Sequence, residues 1–285
     1  MIIYSNGCSH TAPNHPYFVS YIDIVSEVLM KENEYESIKL GRGVEDSVSS
    51  LWHFNNEFVK DPHDFLLRNS EHGKSNDLIF FETYNVVKYL LSKNIKLDYA
   101  IIQFSGLNRR FQTTPAGKIL DVNPFENFDL GVKFEPIATE QSLQYMLILQ
   151  DLFKSKDIKY CFIPYMEFDS EALKDSIIPQ FIDNDFLVKG LEVGCRNKFR
   201  IEGKTCDAPG HPNTFGYYEL AKLVLEKFNL ESKLKTIDEY FELELIELDT
   251  FREDRNFIKL NGDILGDGTD DDIENIRESE RKNLI

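Results

Sequence analysis

The sequence predicts an α/β fold: a mostly parallel sheet covered by helices on both faces, in three layers. Three observations carry this prediction. Short apolar runs alternate with stretches of helical period over the first 230 residues. The runs end in turns that hold glycine, serine or asparagine. The polar residues suited to chemistry fall at those turns, the carboxyl edge where parallel sheets place their sites.

The first strand is the apolar run Met1-Ile2-Ile3-Tyr4, which meets the turn Gly7-Cys8-Ser9-His10-Thr11. Residues 16–30 space Phe18, Ile22, Val25 and Leu29 as a first helix, and 36–40 form a second strand before Gly41-Arg42-Gly43. Residues 44–60 read as a helix, and the polar stretch 61–76, with Pro62, His63, His72 and Gly73, as a loop. A helix over 77–93, with Ile79, Val86, Val87, Leu90 and Leu91 on its apolar side, leads to the clearest strand, 98–104. Ser105-Gly106-Leu107-Asn108 follows it, then an insertion near 110–137. A helix over 139–156, a fourth strand over 158–164 and a second insertion near 166–205 come next. The stretch Asp207-Ala208-Pro209-Gly210-His211-Pro212-Asn213 launches a last helix over 214–228.

Beyond 230 the pattern changes, so the chain divides into an α/β domain, 1–230, and an acidic C-terminal extension, 231–285. Asn261-Gly262 between apolar runs marks a β-hairpin in that extension. Asp263, Asp267, Gly268 and Glu274 share the spacing of a calcium loop, but Leu265 stands at a ligand position. No metal or organic cofactor is expected.

The formal charge of −17 over 285 residues disfavours nucleic acid and anionic membranes, because binding phosphates needs clustered Lys and Arg. No apolar run reaches membrane-spanning length, and a strand starting at Met1 leaves no space for a secretory signal. A cytoplasmic protein is expected. Cys8, Cys161, Cys195 and Cys206 lack paired metal-ligand spacing and read as reduced thiols.

Four pieces thus stand in order: Ser9 after the first strand, glycines after the second, Gly106-Leu107-Asn108 after the third, and Asp207 with His211 before the last helix. Taken singly, Ser9 or Thr11 could cap a helix, His211 could cap another, and Asn108 could serve a turn. The ordered set resembles the SGNH hydrolases, the GDSL-type esterase and lipase superfamily. Cys8 replaces the usual acid of the first block, a form associated with bacterial and phage members. Asp207 lies four residues before His211, where the family commonly has three, and Arg109 stands where an Asp is common.

The resemblance implies a flavodoxin-like sheet and a serine hydrolase needing no cofactor. Ser9 would attack an ester, His211 would be the base and Asp207 would orient it. The backbone N–H groups of Ser9 and Gly43 and the side-chain amide of Asn108 would form the oxyanion hole. The expected partner is a small ester or acylated carbohydrate, with an oligomer or larger assembly formed through the extension. A structural protein that keeps the hydrolase fold, such as a phage virion or assembly component, is the alternative reading.

Overall fold

In a computed structural model, the protein is described over residues 1–8, 11, 20–30, 34–60, 63–70, 74–107, 110–113, 119–122, 135–165, 167–191 and 214–236. It has the expected α/β fold. Five parallel strands form the main sheet: β1 (Ile2–Asn6), β2 (Tyr35–Lys39), β3 (Asp64–Arg68), β4 (Tyr99–Phe104) and β7 (Lys159–Pro164), in the order β2-β3-β1-β4-β7. Two more strands, β5 (Arg110–Thr113) and β6 (Ile119–Val122), pair antiparallel as a separate hairpin inside the first expected insertion.

Burial follows position in the sheet. Every residue of β1 and β4 is buried, whereas β2, at one edge, keeps Glu36, Ser37 and Lys39 exposed. Interior strands of a parallel sheet read as continuous apolar runs because both faces are covered.

β3 follows the same rule and departs from the sequence expectation. Residues 61–76 were expected to be a loop, yet Phe65, Leu66 and Leu67 lie fully buried in β3, between β1 and β2. The strand's apolar core is only three residues long and stands among Pro62, His63, His72 and Gly73. Leaving β3 aside, the order β2-β1-β4-β7 is that of the first four strands of a flavodoxin-like sheet. β3 is an addition slid in beside β1.

Helices α2 (Val44–Lys60), α3 (Asn76–Ser92) and α4 (Glu135–Ser155) join β2 to β3, β3 to β4 and β4 toward β7. These connections all move the same way across the sheet, so right-handed crossovers set the three helices on one face. Their packing agrees. The Phe54 ring meets Phe65 edge-on with centroids 4.9 Å apart, Phe80 stacks on Tyr145 at 4.2 Å, and Phe153 lies against Tyr160 and Phe162. Past β7 the chain forms a short helix, α5 (Ser170–Asp175), and two single 3₁₀ turns, where the second insertion was expected.

The chain separates into two compact units, 1–12 with 29–195 and 13–28 with 196–285. Within the second, which holds α1 (Tyr21–Met30) as far as Val28, the helix starts at Ser20, whose hydroxyl and N–H both donate to the Asp23 carboxylate. The Tyr21 ring stacks on Tyr217 of α6 (Thr214–Lys227) at 6.4 Å. Lys235 pairs with Glu27, and the Tyr218 hydroxyl donates to the Lys235 carbonyl at 3.0 Å, so residues just past 230 are tied to both helices. The hairpin expected around Asn261-Gly262 lies outside the described residues.

Candidate functional site

The chain leaves β1 for β2 in one direction and later returns past β1 to β4 in the other. The strand order therefore reverses between β1 and β4, and the crevice outside their carboxyl ends is the place where open α/β sheets bind ligands. The first and third expected blocks follow these two strands directly.

The turn after β1 is tightly built. A Cβ on Gly7 would stand 2.2 Å from Thr11 Oγ1 and 2.9 Å from Gln103 Cβ, so only glycine fits there. Thr11 N–H donates to the Cys8 carbonyl at 3.0 Å, and the Thr11 hydroxyl donates to Gln103 Oε1. Cys8 is buried. Ser9, the expected nucleophile, lies outside the described residues, as do Asn108, Asp207 and His211. Gly43 alone of the expected site residues is described.

Gly43 has φ of 92°, a backbone conformation that favours glycine, and its carbonyl accepts the Ser47 N–H that opens α2. Its own N–H, expected to serve the oxyanion hole, donates to Glu82 Oε1 at 2.6 Å. A donor engaged by a carboxylate is not aimed at a substrate oxygen. The neighbouring Gly41 N–H is also taken, by Ser50 Oγ at 3.1 Å, and a Cβ on Gly41 would stand 2.6 Å from Asp46 Cβ.

Glu82 belongs to a polar cluster at the start of α3 that the sequence reading did not find. Lys74, Glu82, Asn6 and Asn69 are each at most 1 % exposed. The Lys74 ammonium donates to Glu82 Oε2 at 2.5 Å, to Asn69 Oδ1 at 3.1 Å, to Asn6 Oδ1 at 3.3 Å and to the Asn69 carbonyl. Asn6 Nδ2 donates to Glu82 Oε2 at 3.3 Å, to Thr83 Oγ1 at 3.1 Å and to the Ile79 carbonyl at 3.1 Å. Asn6 Oδ1 also accepts the Gly7 N–H at 2.8 Å. Burial pushes the Glu82 carboxyl above its ordinary range, and the Lys74 charge beside it pulls it back part of the way. Its partners among these contacts are all donors, which suits the ionised form.

Nearly two turns earlier, at the first residue of α3, Asn76 holds the loop after β4. Its Oδ1 accepts the Ser105 N–H at 2.6 Å, and its Nδ2 donates to the Ser105 carbonyl at 3.2 Å and to Ser142 Oγ at 3.0 Å. The first turns of α3 thus grip all three loops in which the first three blocks lie. One sequence signal pointed here: Glu82 falls at helical spacing between Ile79 and Val86, a charge on the apolar stripe of α3.

A separate groove of about 730 Å³ lies between α4 and α5, with Ile137, Glu140, Glu171 and Asp175 among its lining residues. It contains none of the expected site residues. Among the described residues no group of three or more His, Cys, Asp or Glu could hold a metal ion, and no helix is long and apolar enough to cross a membrane.

No protein-family model matches the chain, and no curated protein does. Among solved structures, the chain is similar to LAE5, described as an alpha/beta hydrolase enzyme from the metagenome of Lake Arreo, Spain. The likeness spans 81% of this chain and 95% of that one, at 15% identity and a TM-score of 0.38.

Proposed function

We propose that the protein is a serine hydrolase of the SGNH type acting on a small acyl ester, such as an O-acetyl group on carbohydrate. The observation that carries this reading is the coincidence of the topological switch point, between β1 and β4, with the strands that precede Gly7-Cys8-Ser9 and Gly106-Leu107-Asn108.

In this reading Ser9 attacks the ester carbonyl while His211 takes its proton and returns it to the leaving alcohol. Asp207 orients the imidazole and supports its charged form. The tetrahedral oxyanion is held by the Ser9 N–H and the Asn108 amide. Gly43 was the third expected donor. With its N–H given to Glu82, it enters the reaction by setting the turn after β2.

The same bond favours a second reading, a non-catalytic chain that keeps the fold as part of a larger assembly such as a phage virion. A fluorophosphonate probe separates the two. Labelling of the full chain that is lost in Ser9→Ala is the result expected of the hydrolase. A wild-type chain that stays unlabelled and does not hydrolyse p-nitrophenyl acetate favours the second reading.

A further inference from the structure

We infer that the buried Lys74–Glu82 pair is a positioning device that sets the turns after β1 and β2 in register with each other. This inference rests on the serine-hydrolase reading above and extends it.

One carboxylate serves both turns. Glu82 Oε1 takes the Gly43 N–H at 2.6 Å, and Oε2 takes Asn6 Nδ2 at 3.3 Å. Asn6 is the last residue of β1, and its Oδ1 holds the N–H of Gly7, two residues before Ser9. A chain of three side-chain bonds therefore runs from the second block to the first, through a helix that belongs to neither.

Lys74 makes this carboxylate usable. A lone ionised Glu at 0 % exposure would take up a proton, and a protonated carboxyl offers its partners one acceptor fewer. Lys74 Nζ at 2.5 Å favours its charged form, and the same ammonium donates to Asn6 Oδ1 and to both oxygens of Asn69. Asn69 in turn donates to Ser47 Oγ at 2.9 Å, and the Ser47 hydroxyl donates to the carbonyls of Gly41 and Gly43. The Gly43 turn is gripped at its N–H by Glu82 and at its carbonyl by Ser47.

The side chains of Asn6, Ser47, Asn69, Lys74 and Glu82 are all buried, so their hold on the turns comes from acceptor and donor placement. Glu82 and Lys74 touch no reacting atom. Their effect on the reaction is to hold Ser9 against its oxyanion donors, where a displacement of about 1 Å costs on the order of a hundredfold.

The test uses the full chain with two double variants and two readouts. Glu82→Gln with Lys74→Met removes both charges and the acceptor for Asn6 Nδ2 but keeps an acceptor for the Gly43 N–H. Glu82→Leu with Lys74→Met removes that acceptor as well. The first readout is the fluorophosphonate reaction at Ser9, split into binding and inactivation steps. The second is hydrogen exchange of the Gly43 amide followed by NMR, with the amides of β1 and β4 as the control for folding.

The leucine-containing variant should lose about a hundredfold in the inactivation rate with little change in probe binding, and its Gly43 amide should exchange freely. The glutamine-containing variant should recover at least a tenth of the wild-type rate and most of the protection. An unchanged inactivation rate in the leucine-containing variant, with Gly43 exchanging freely, overturns the inference, as does a rise in rate. Equal loss in both variants overturns it too, because the acceptor would then be irrelevant. A wild-type chain that takes no label sinks the hydrolase reading alone. The exchange readout still decides the register: a Gly43 amide as exposed in wild type as in the variant refutes it.

Discussion

Replacing Lys74 alone should be among the most damaging single changes in this protein, and Lys74→Met shows how the loss divides. Methionine fills much the same volume, so packing changes little; what changes is that the Glu82 carboxylate, at 0 % exposure, loses the charge 2.5 Å away. Breaking a buried pair in this way costs about 3–5 kcal/mol. At roughly 2–4 °C per kcal/mol for a chain of this size, the melting temperature should fall by about 6–20 °C. Adding Glu82→Gln should return part of the loss. The introduced amide keeps an acceptor for the Gly43 N–H, although its nitrogen stands where Oε2 accepted Asn6 Nδ2, so that one bond is not recovered. What also remains is the cost of the Asn69 oxygens left without their donor, about 1–3 kcal/mol. The double variant should therefore be more stable than Lys74→Met, although it carries one more substitution. The sign of the pH dependence follows from the carboxyl. Without Lys74, the Glu82 pKa in the folded chain rises further above its unfolded value. Such a group favours folding at low pH and loses that contribution as pH rises through its folded pKa. The stability gap between Lys74→Met and wild type should accordingly narrow as pH is lowered from 8 toward 5. Urea denaturation of wild type, both single variants and the double gives the coupling energy directly. Additive losses, or a gap that widens toward acid pH, would refute the reasoning.

Further outcomes follow from the site. Ser9→Ala should abolish p-nitrophenyl acetate hydrolysis, a loss of roughly a millionfold in turnover, and leave the melting temperature within a few degrees of wild type. Asn108→Ala should lower kcat by about a hundredfold or more with a smaller effect on KM, since an oxyanion donor acts in the transition state; a change confined to KM removes it from the hole. Gly7→Ala should cost about 1–3 kcal/mol in urea denaturation, because its Cβ would stand 2.2 Å from Oγ1 of the buried Thr11. Turnover should rise with pH through the titration of His211, whose neutral imidazole is the form that accepts the serine proton, and a flat kcat profile from pH 5 to 8 would count against that base.

Most of the fold was legible because most elements are long enough to show their period. Helix α2 runs over the expected 44–60, α3 lies one residue from its expected bounds, and β4, with six consecutive buried residues, was the plainest strand in the chain. β3 escaped because period cannot declare itself in three residues. Phe65-Leu66-Leu67 is the run of a doubly covered strand at its minimum length, and the histidines, proline and glycine around it outweigh it in any window long enough to measure. The hairpin of β5 and β6 escaped for a related reason, as two four-residue strands inside a stretch rich in proline and glycine.

The candidate site divides along a different line. Residues that would touch a substrate stand in short blocks at strand ends, where a single sequence can display them. The residues that hold those blocks in place are scattered, and their meaning depends on what the fold brings beside them. Lys74 reads as an ordinary charge in a polar loop until β3 turns that loop inward, and Asn76 reads as the last residue of the same loop until Ser105 is found against it. Glu82 is the exception. A carboxylate three residues after Ile79 and four before Val86 sits where the helix faces the core. Burying it ionised and unpaired would cost several kcal/mol, so its presence on that stripe calls either for a proton on the carboxyl or for a buried cation and donors. The sequence could not say which ones. The structure supplies Lys74, Asn6 and Gly43, and two of these three, Asn6 and Gly43, lie at the ends of the loops in which a nucleophile and its turn were expected. A charge out of place on an apolar stripe thus pointed to the same sheet edge as the motif blocks, through electrostatics that make no use of family resemblance.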